Sequence, residues 1–306
     1  ELLAVDAIKA GAASYFPKDR VTHARLIETL RNELGSVRKI PGAAEAGGKA
    51  SPYRYLRELH STDLATVYLA ENGDGTVQAV KLIRYVPDSG GEHLFDRFLQ
   101  EYEIIAGIAH PNVVKIFDLG IADDHAYIAM EYLSAGRLSD RLTEAMPAEQ
   151  AIDYTRQIAG ALAAVHEAGI LHRDLKPSNV MFRSDDSLAL IDFGLAKRMK
   201  LEAALTGQGQ IFGTPYYMSP EQGHAEPTDQ RTDLYSLGCV LYEMLTGSRP
   251  FTSATAMGVI YQHANAPRPK LEAGLARHQA LLDRLMAVDP KERFQSAEEV
   301  LTAISL

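Results

Sequence analysis

Apolar residues recur along this chain with two different periods, and the change of period divides it. Up to Leu34 the pattern predicts a helix ending at Gly11, a short strand over Ala13–Phe16, and a helix from about Thr22 with Leu26, Leu30 and Leu34 on one face. Residues 35–51 have no apolar period and hold four glycines, the composition of a flexible linker. From Tyr53 to about Tyr132 apolar and polar positions mostly alternate, as in half-buried strands, and Asn72-Gly73-Asp74-Gly75 joins two of them as a hairpin. One helical stretch interrupts them between Leu94 and Ala109. Beyond Leu138, spacings of three and four predict helices over Ala148–Ala168, Asp233–Leu245, Gln279–Ala287 and Ala297–Ile304, with strands and loops at 170–220. The pattern therefore predicts an α+β protein with a small β-rich lobe at 52–131 and a larger α-helical lobe at 134–306, preceded by an extension at 1–34.

Within the large lobe, His172-Arg173-Asp174-Leu175-Lys176-Pro177-Ser178-Asn179 leads into two short apolar runs, Val180 to Phe182 and Leu188 to Ile191. That is a loop feeding a hairpin. The return strand ends in Asp192-Phe193-Gly194, which brings Asn179 and Asp192 near each other as two hard oxygen ligands suited to magnesium. Asp174 sits at the mouth of the same loop with Lys176 beside it. Phosphoryl transfer to an alcohol needs such a group: an Asp to orient the hydroxyl and accept its proton, a Lys to offset charge, and a metal on the phosphate oxygens. In the small lobe, Ala79 and Lys81 share one face of a strand. In the helix that follows, Leu94, Phe98, Glu101 and Ile105 place one carboxylate in an apolar stripe, and Lys81 is its expected partner, because an unpaired buried acid is costly.

Composition narrows the function further. The 306 residues are 46% hydrophobic and 23% charged, and 31 Lys and Arg against 40 Asp and Glu leave a net charge of −9, which argues against a nucleic-acid partner. Cys239 is the sole cysteine, so a disulfide framework within the chain is excluded and a reducing, cytoplasmic setting is expected. No run approaches the roughly 18 apolar residues of a membrane span. The start, Glu-Leu-Leu-Ala, lacks both a signal-peptide pattern and Met and reads as that of a piece of a longer chain.

Taken in order, Lys81, Glu101, the 172–179 loop, Asp192-Phe193-Gly194, Gly213-Thr214-Pro215-Tyr216-Tyr217-Met218-Ser219-Pro220-Glu221, Asp233 and Arg293 resemble the eukaryotic-like Ser/Thr protein kinases of bacteria over residues 52–306. The resemblance implies a bilobal kinase-like fold, ATP and Mg2+ as cofactors, and a protein substrate with Ser or Thr. It implies Asp174 as base, Lys176 on the γ-phosphate, Asn179 and Asp192 on magnesium, and Lys81 on the α- and β-phosphates, oriented by Glu101. Leu59, Val67, Ala79 and Met181 would enclose the adenine, with Met130 as gatekeeper and Glu131 to Leu133 as hinge. Glu221 would pair with Arg293, and Asp233 would brace the catalytic-loop backbone. Thr206 is the expected phosphosite, with Thr214 second and Arg173 pairing with the phosphate. Residues 11–19 resemble the last strand of a response-regulator receiver domain, which would make 1–34 its C-terminal remnant. A homodimer through either the remnant or the small lobe stays open.

One departure from the family is plain. Where the family has its glycine-rich loop, this chain reads Leu59-His60-Ser61-Thr62-Asp63-Leu64-Ala65-Thr66-Val67, with His60, Thr62 and Ala65 at the three glycine positions. Glycine serves there because backbone N–H groups must approach phosphate closely. Weakened ATP binding is expected, and a pseudokinase or scaffold is the alternative reading. His110 and His166 read as packing or turn residues.

Overall fold

The computed structural model describes residues 52–62, 65–84, 100–122, 125–193 and 215–305. The expectations for 1–51, Thr206 and Thr214 fall outside them. Five antiparallel strands make the small lobe: β1 (Arg54–Ser61), β2 (Ala65–Glu71), β3 (Val77–Arg84), β4 (Ile116–Ala122) and β5 (His125–Met130), in the order β1-β2-β3-β5-β4. The β2–β3 hairpin forms as the Asn-Gly-Asp-Gly run predicts. Asn72 Oδ1 accepts from the backbone N–H groups of Asp74 and Thr76 at 3.1 and 3.0 Å, and Gly75 takes a φ of +87°, a conformation that a side chain disfavours.

Residues 100–106 are helical and form α1. Its buried residues are Tyr102 and Ile105, whereas Glu101 is half-buried and Glu103 and Ile104 are exposed. The large lobe holds α2 (Leu138–Arg141), α3 (Ala148–Glu167), the hairpin β6 (Val180–Phe182) and β7 (Leu188–Leu190), α4 (Pro220–Gly223), α5 (Gln230–Thr246), α6 (Ala256–Asn265), α7 (Gln279–Leu285) and α8 (Ala297–Ser305). Helix α5 starts three residues earlier than its apolar period suggests, because Asp229 caps it by accepting from the Arg231 N–H at 2.9 Å. Helices α2, α4 and α6 have no counterpart in the sequence reading.

One continuous core spans both lobes, from Ile83, Tyr102 and Ile128 to Leu162, Leu237 and Val300. The lobes join where β7 meets the segment before β4. There Val114 N–H donates to the Leu190 carbonyl at 3.0 Å, Leu190 N–H to the Asn112 carbonyl at 2.8 Å, and the buried Asn112 amide to the Leu188 carbonyl at 2.7 Å. These bonds fix β7, and hence Asp192 just beyond it, against the small lobe. Among the described residues no helix is long and apolar enough to cross a membrane.

Candidate active site

The strand register sets up one wall of the site. Val67 pairs with Lys81 and Lys81 with Ile128, while Leu69 pairs with Ala79 and Ala79 with Met130. Directly paired residues share a sheet face, so Val67, Ala79, Lys81 and Met130 all point the same way. Leu59 on β1 is half-buried. On the opposite side, Met181 is half-buried on β6, bridged to Arg137, and Leu133 is buried between the lobes. The Glu131 side chain is committed elsewhere. Its carboxylate accepts from Arg183 Nη2 at 2.6 Å and Nε at 2.8 Å and from the Lys115 N–H at 2.8 Å, which leaves the hinge its backbone to offer.

Lys81 Nζ donates to Asp192 Oδ1 at 2.5 Å across 111 residues of sequence. Burial by itself lowers an ammonium pKa, but the Asp192 carboxylate overrides it and Lys81 is raised; Lys81 in turn holds Asp192 below the usual carboxylate range against its own burial. Both are charged at neutral pH. Lys81 keeps 12% of its side-chain surface and Asp192 39%, so the carboxylate opens to the cleft. From α1 it is Tyr102 whose hydroxyl interacts with Lys81, and Glu101 lies one residue earlier on the helix. Asp192, the acid after β7, is thus an ion-pair partner of Lys81 that no sequence period indicates.

Asp174 lies in the loop between α3 and β6, with Lys176 Nζ donating to its Oδ2 at 2.8 Å. Asn179 Nδ2 donates to the Asp174 carbonyl at 2.8 Å and to Oδ2 at 3.1 Å, which turns the Asn179 amide oxygen away from Asp174. His172 is fully buried, and burial lowers its pKa, so the ring is neutral. Its Nδ1 accepts from the Asp174 N–H at 3.3 Å, which leaves Nε2 to donate to the Ile191 carbonyl at 3.1 Å. One imidazole therefore ties the Asp174 loop to the strand that carries Asp192, and its ring packs on Phe193 at 5.0 Å.

Two site residues without glycine's freedom hold positive φ: Arg173 at +59° and Asp192 at +53°. Such a conformation costs on the order of 1–3 kcal/mol and persists only where surroundings impose it. Asp233 on α5 does so for Arg173, accepting from its N–H at 2.7 Å and from the His172 N–H at 2.8 Å. His166, read from sequence as a packing or turn residue, has a buried side chain and also partners the brace, its Nε2 hydrogen-bonding to the same carboxylate at 2.8 Å. Burial raises a carboxylate, yet these contacts hold Asp233 below the usual range. Lower in the lobe, the fully buried Arg293 donates to Glu221 at 2.7 and 2.8 Å, joined by Thr232 Oγ1 at 2.8 Å.

The turn between β1 and β2 is closed by Thr62. Its N–H donates to the Ala65 carbonyl at 2.8 Å, and its hydroxyl accepts from the Ala65 N–H at 3.2 Å. Ser61 and Thr66 hydroxyls hydrogen-bond across the strands at 3.1 Å. The amides of Thr62 and Ala65, two of the three positions where the family carries glycine, are thereby spent within the turn. Among the described residues no group of three or more His, Cys, Asp or Glu is arranged to hold a metal. Asn179 and Asp192 suit magnesium instead, which takes one or two protein oxygens and completes its shell with phosphate and water.

A five-stranded lobe with a strand lysine, set over a helical lobe whose loop presents Asp, Lys and Asn, defines a protein kinase domain. The chain belongs to that family: the protein kinase domain model matches residues 53–303. Serine/threonine-protein kinase pkn2 of Myxococcus xanthus is 36% identical over 266 residues, which is 83% of this chain and 32% of that protein. PrkC of Bacillus subtilis, also named a serine/threonine-protein kinase, is 32% identical over 256 residues, 81% of this chain and 39% of that one. The chain thus spans about a third of the length of these curated relatives. Among solved structures, the Mycobacterium tuberculosis PknI kinase domain superposes with a TM-score of 0.65 at 25% identity, covering 86% of this chain and 98% of that one.

Proposed function

We propose that this chain transfers the γ-phosphoryl group of ATP to a Ser or Thr hydroxyl of a protein substrate, with magnesium as co-ion. The observation that carries the reading is the convergence of Lys81 on Asp192 and of Lys176 and Asn179 on Asp174, joined through His172. Asn179 and Asp192 would hold magnesium, which when bound bridges phosphate oxygens and offsets their charge. Lys81 grips the α- and β-phosphates, and Glu101 is the acid assigned to orient it. Leu59, Val67, Ala79, Met130, Leu133 and Met181, with the backbone of Glu131, enclose the adenine. Asp174 orients the acceptor hydroxyl and takes its proton. Lys176 supplies positive charge where the phosphoryl group moves.

Regulation in this reading falls to Thr206, whose phosphate pairs with Arg173; Thr214 serves beside Asp174 or as a second phosphosite. Residues 1–34 are taken as the end of a receiver domain, which would couple the kinase to an upstream phosphorelay, and the protein works in the cytoplasm, alone or as a homodimer. The kinase names of the relatives lend nothing to the scaffold alternative. The test is incubation with magnesium-ATP followed by peptide mapping of the phosphorylated positions. Phosphate on Ser or Thr, with Thr206 among the positions, is expected; phosphate confined to Tyr would overturn the Ser/Thr assignment.

A further inference from the structure

The segment that links the two lobes is held by a charged pair outside the catalytic loop. Glu131 directly follows β5, and Arg183 directly follows β6. Arg183 Nε and Nη2 donate to the two oxygens of the Glu131 carboxylate at 2.8 and 2.6 Å, a fork that a lysine ammonium cannot make. Both side chains are partly buried, which shields the pair from salt. The remaining nitrogen of Arg183, Nη1, donates to the Pro111 carbonyl at 2.7 Å and to the Ser187 hydroxyl at 3.3 Å. Glu131 is also tied to the stretch before β4: its carboxylate accepts from the Lys115 N–H at 2.8 Å, and its own N–H donates to the Lys115 carbonyl at 2.9 Å. One guanidinium thus joins three segments: the hinge, the stretch before β4 and the β6–β7 hairpin.

What this network holds is the slot assigned to adenine. Met130 immediately precedes Glu131, Leu133 lies two residues after it, and Met181 lies two residues before Arg183. At its far end the hinge is tied to the same strand by backbone bonds, from Ala135 N–H to the Phe182 carbonyl at 3.0 Å and from Phe182 N–H to the Gly136 carbonyl at 2.9 Å. Residues 132–134 lie between the two anchors, and theirs is the backbone that a purine edge would meet. A hydrogen bond weakens sharply with misplacement, so a hinge held to β6 at one end only would lose purine bonds while the Asp174 cluster stayed in place.

We propose that Arg183 is a positioning residue for the adenine of ATP: through Glu131 it holds the hinge against β6 and so sets the slot between them. The inference rests on the kinase reading above and adds a residue that needs no contact with the nucleotide. Its effect falls on binding of the purine and not on the transfer step.

The experiment compares the parent chain with Arg183→Met, Arg183→Lys, Glu131→Ala and the Glu131→Ala, Arg183→Met double variant. Two quantities are read: the rate of magnesium-dependent autophosphorylation at varied ATP, and the Kd of adenosine by calorimetry. In Arg183→Met the ATP KM should rise about tenfold, the worth of one charged hydrogen bond, with the maximal rate within about twofold. The adenosine Kd should rise by the same factor, since adenosine carries the purine without the phosphates. Arg183→Lys, which keeps the charge and loses the fork, should lie between, at about threefold. Because Arg183 acts through Glu131, adding Arg183→Met to Glu131→Ala should change the ATP KM by less than about twofold. An unchanged ATP KM in Arg183→Met, a raised ATP KM with unchanged adenosine affinity, a changed maximal rate at constant KM, or a full tenfold effect in the Glu131→Ala background overturns the proposal. Should Arg183→Met not fold, Arg183→Lys decides: a joint rise of ATP KM and adenosine Kd supports the proposal, and parent values for both overturn it. A parent that neither transfers phosphate nor binds adenosine contradicts the kinase reading itself, a failure distinct from these.

Discussion

Asp233 never faces the cleft, yet two backbone amides and one imidazole depend on its carboxylate. Removing it as Asp233→Ala leaves buried donors unmatched at about 1–3 kcal/mol each and releases Arg173 from its positive φ. We expect a lower melting temperature and a large fall in kcat, read by thermal unfolding and steady-state assay; loss of stability with full kcat would show that the brace does not position Asp174. At Thr62 the prediction has the opposite sign. Thr62→Gly deletes the hydroxyl that occupies the Ala65 N–H and should lower the ATP KM by severalfold, since freed amides can turn to phosphate. A raised KM would mean that the closed turn itself serves the nucleotide.

Residues of this kind were unequally legible. Asp174, Lys176, Asn179 and Asp192 stand in a short motif whose spacing forces them together, so the sequence pointed to them directly. The Lys81–Asp192 pair spans 111 positions and no local period encodes it. Tyr102 was overlooked because 101 and 102 stand four and three residues before Ile105, and either spacing fits a helical stripe.

At the scale of elements, the buried Glu221–Arg293 pair joins α4 to the segment before α8. Glu221→Ala strands a fully buried guanidinium and should cost about 3–5 kcal/mol, measured as a shift of the urea midpoint. A shift below about 1 kcal/mol would show that Arg293 finds enough compensation in the Ala287, Val288 and Arg231 carbonyls it also contacts. Helix α6 shows why periodicity fails where it does. Its buried residues are Val259, Ile260 and His263, one of them polar, while Met257 and Tyr261 are 62% and 67% exposed. The apolar pattern is blurred on both faces. The one clear local sign was Thr255, whose side chain caps the helix by accepting from the Gly258 N–H at 3.0 Å. Helix α3, by contrast, buries Ala151, Ile158, Leu162 and Val165 with regular spacing and was legible almost to the residue.

For the whole molecule, the two buried imidazoles set the response to mild acid. His263 is lowered to about 4 by burial and Arg268, and His172 is lowered chiefly by burial. Both stay neutral in the folded chain while the unfolded chain takes up protons below about pH 6.5, so the unfolded state binds more protons and stability falls as pH drops from 6.5 toward 4. The lowered carboxylates Asp192, Asp233 and Glu221 add their own loss only further down, below their unfolded values near 4. The urea midpoint should therefore decline between pH 6.5 and 5 and be flatter over that range in His263→Phe; a midpoint that rises toward pH 5 would contradict the neutral assignments.

The most direct measurement of the central claim, that the cluster around Asp174 and Asp192 is a phosphoryl-transfer centre, is intact mass after incubation with magnesium-ATP, for the parent chain and for Asp174→Asn. The account predicts that the parent gains phosphoryl groups and that the variant, folded to the same melting temperature, gains none. Equal phosphorylation of both, or of neither with no thermal shift on adding ATP, would contradict it.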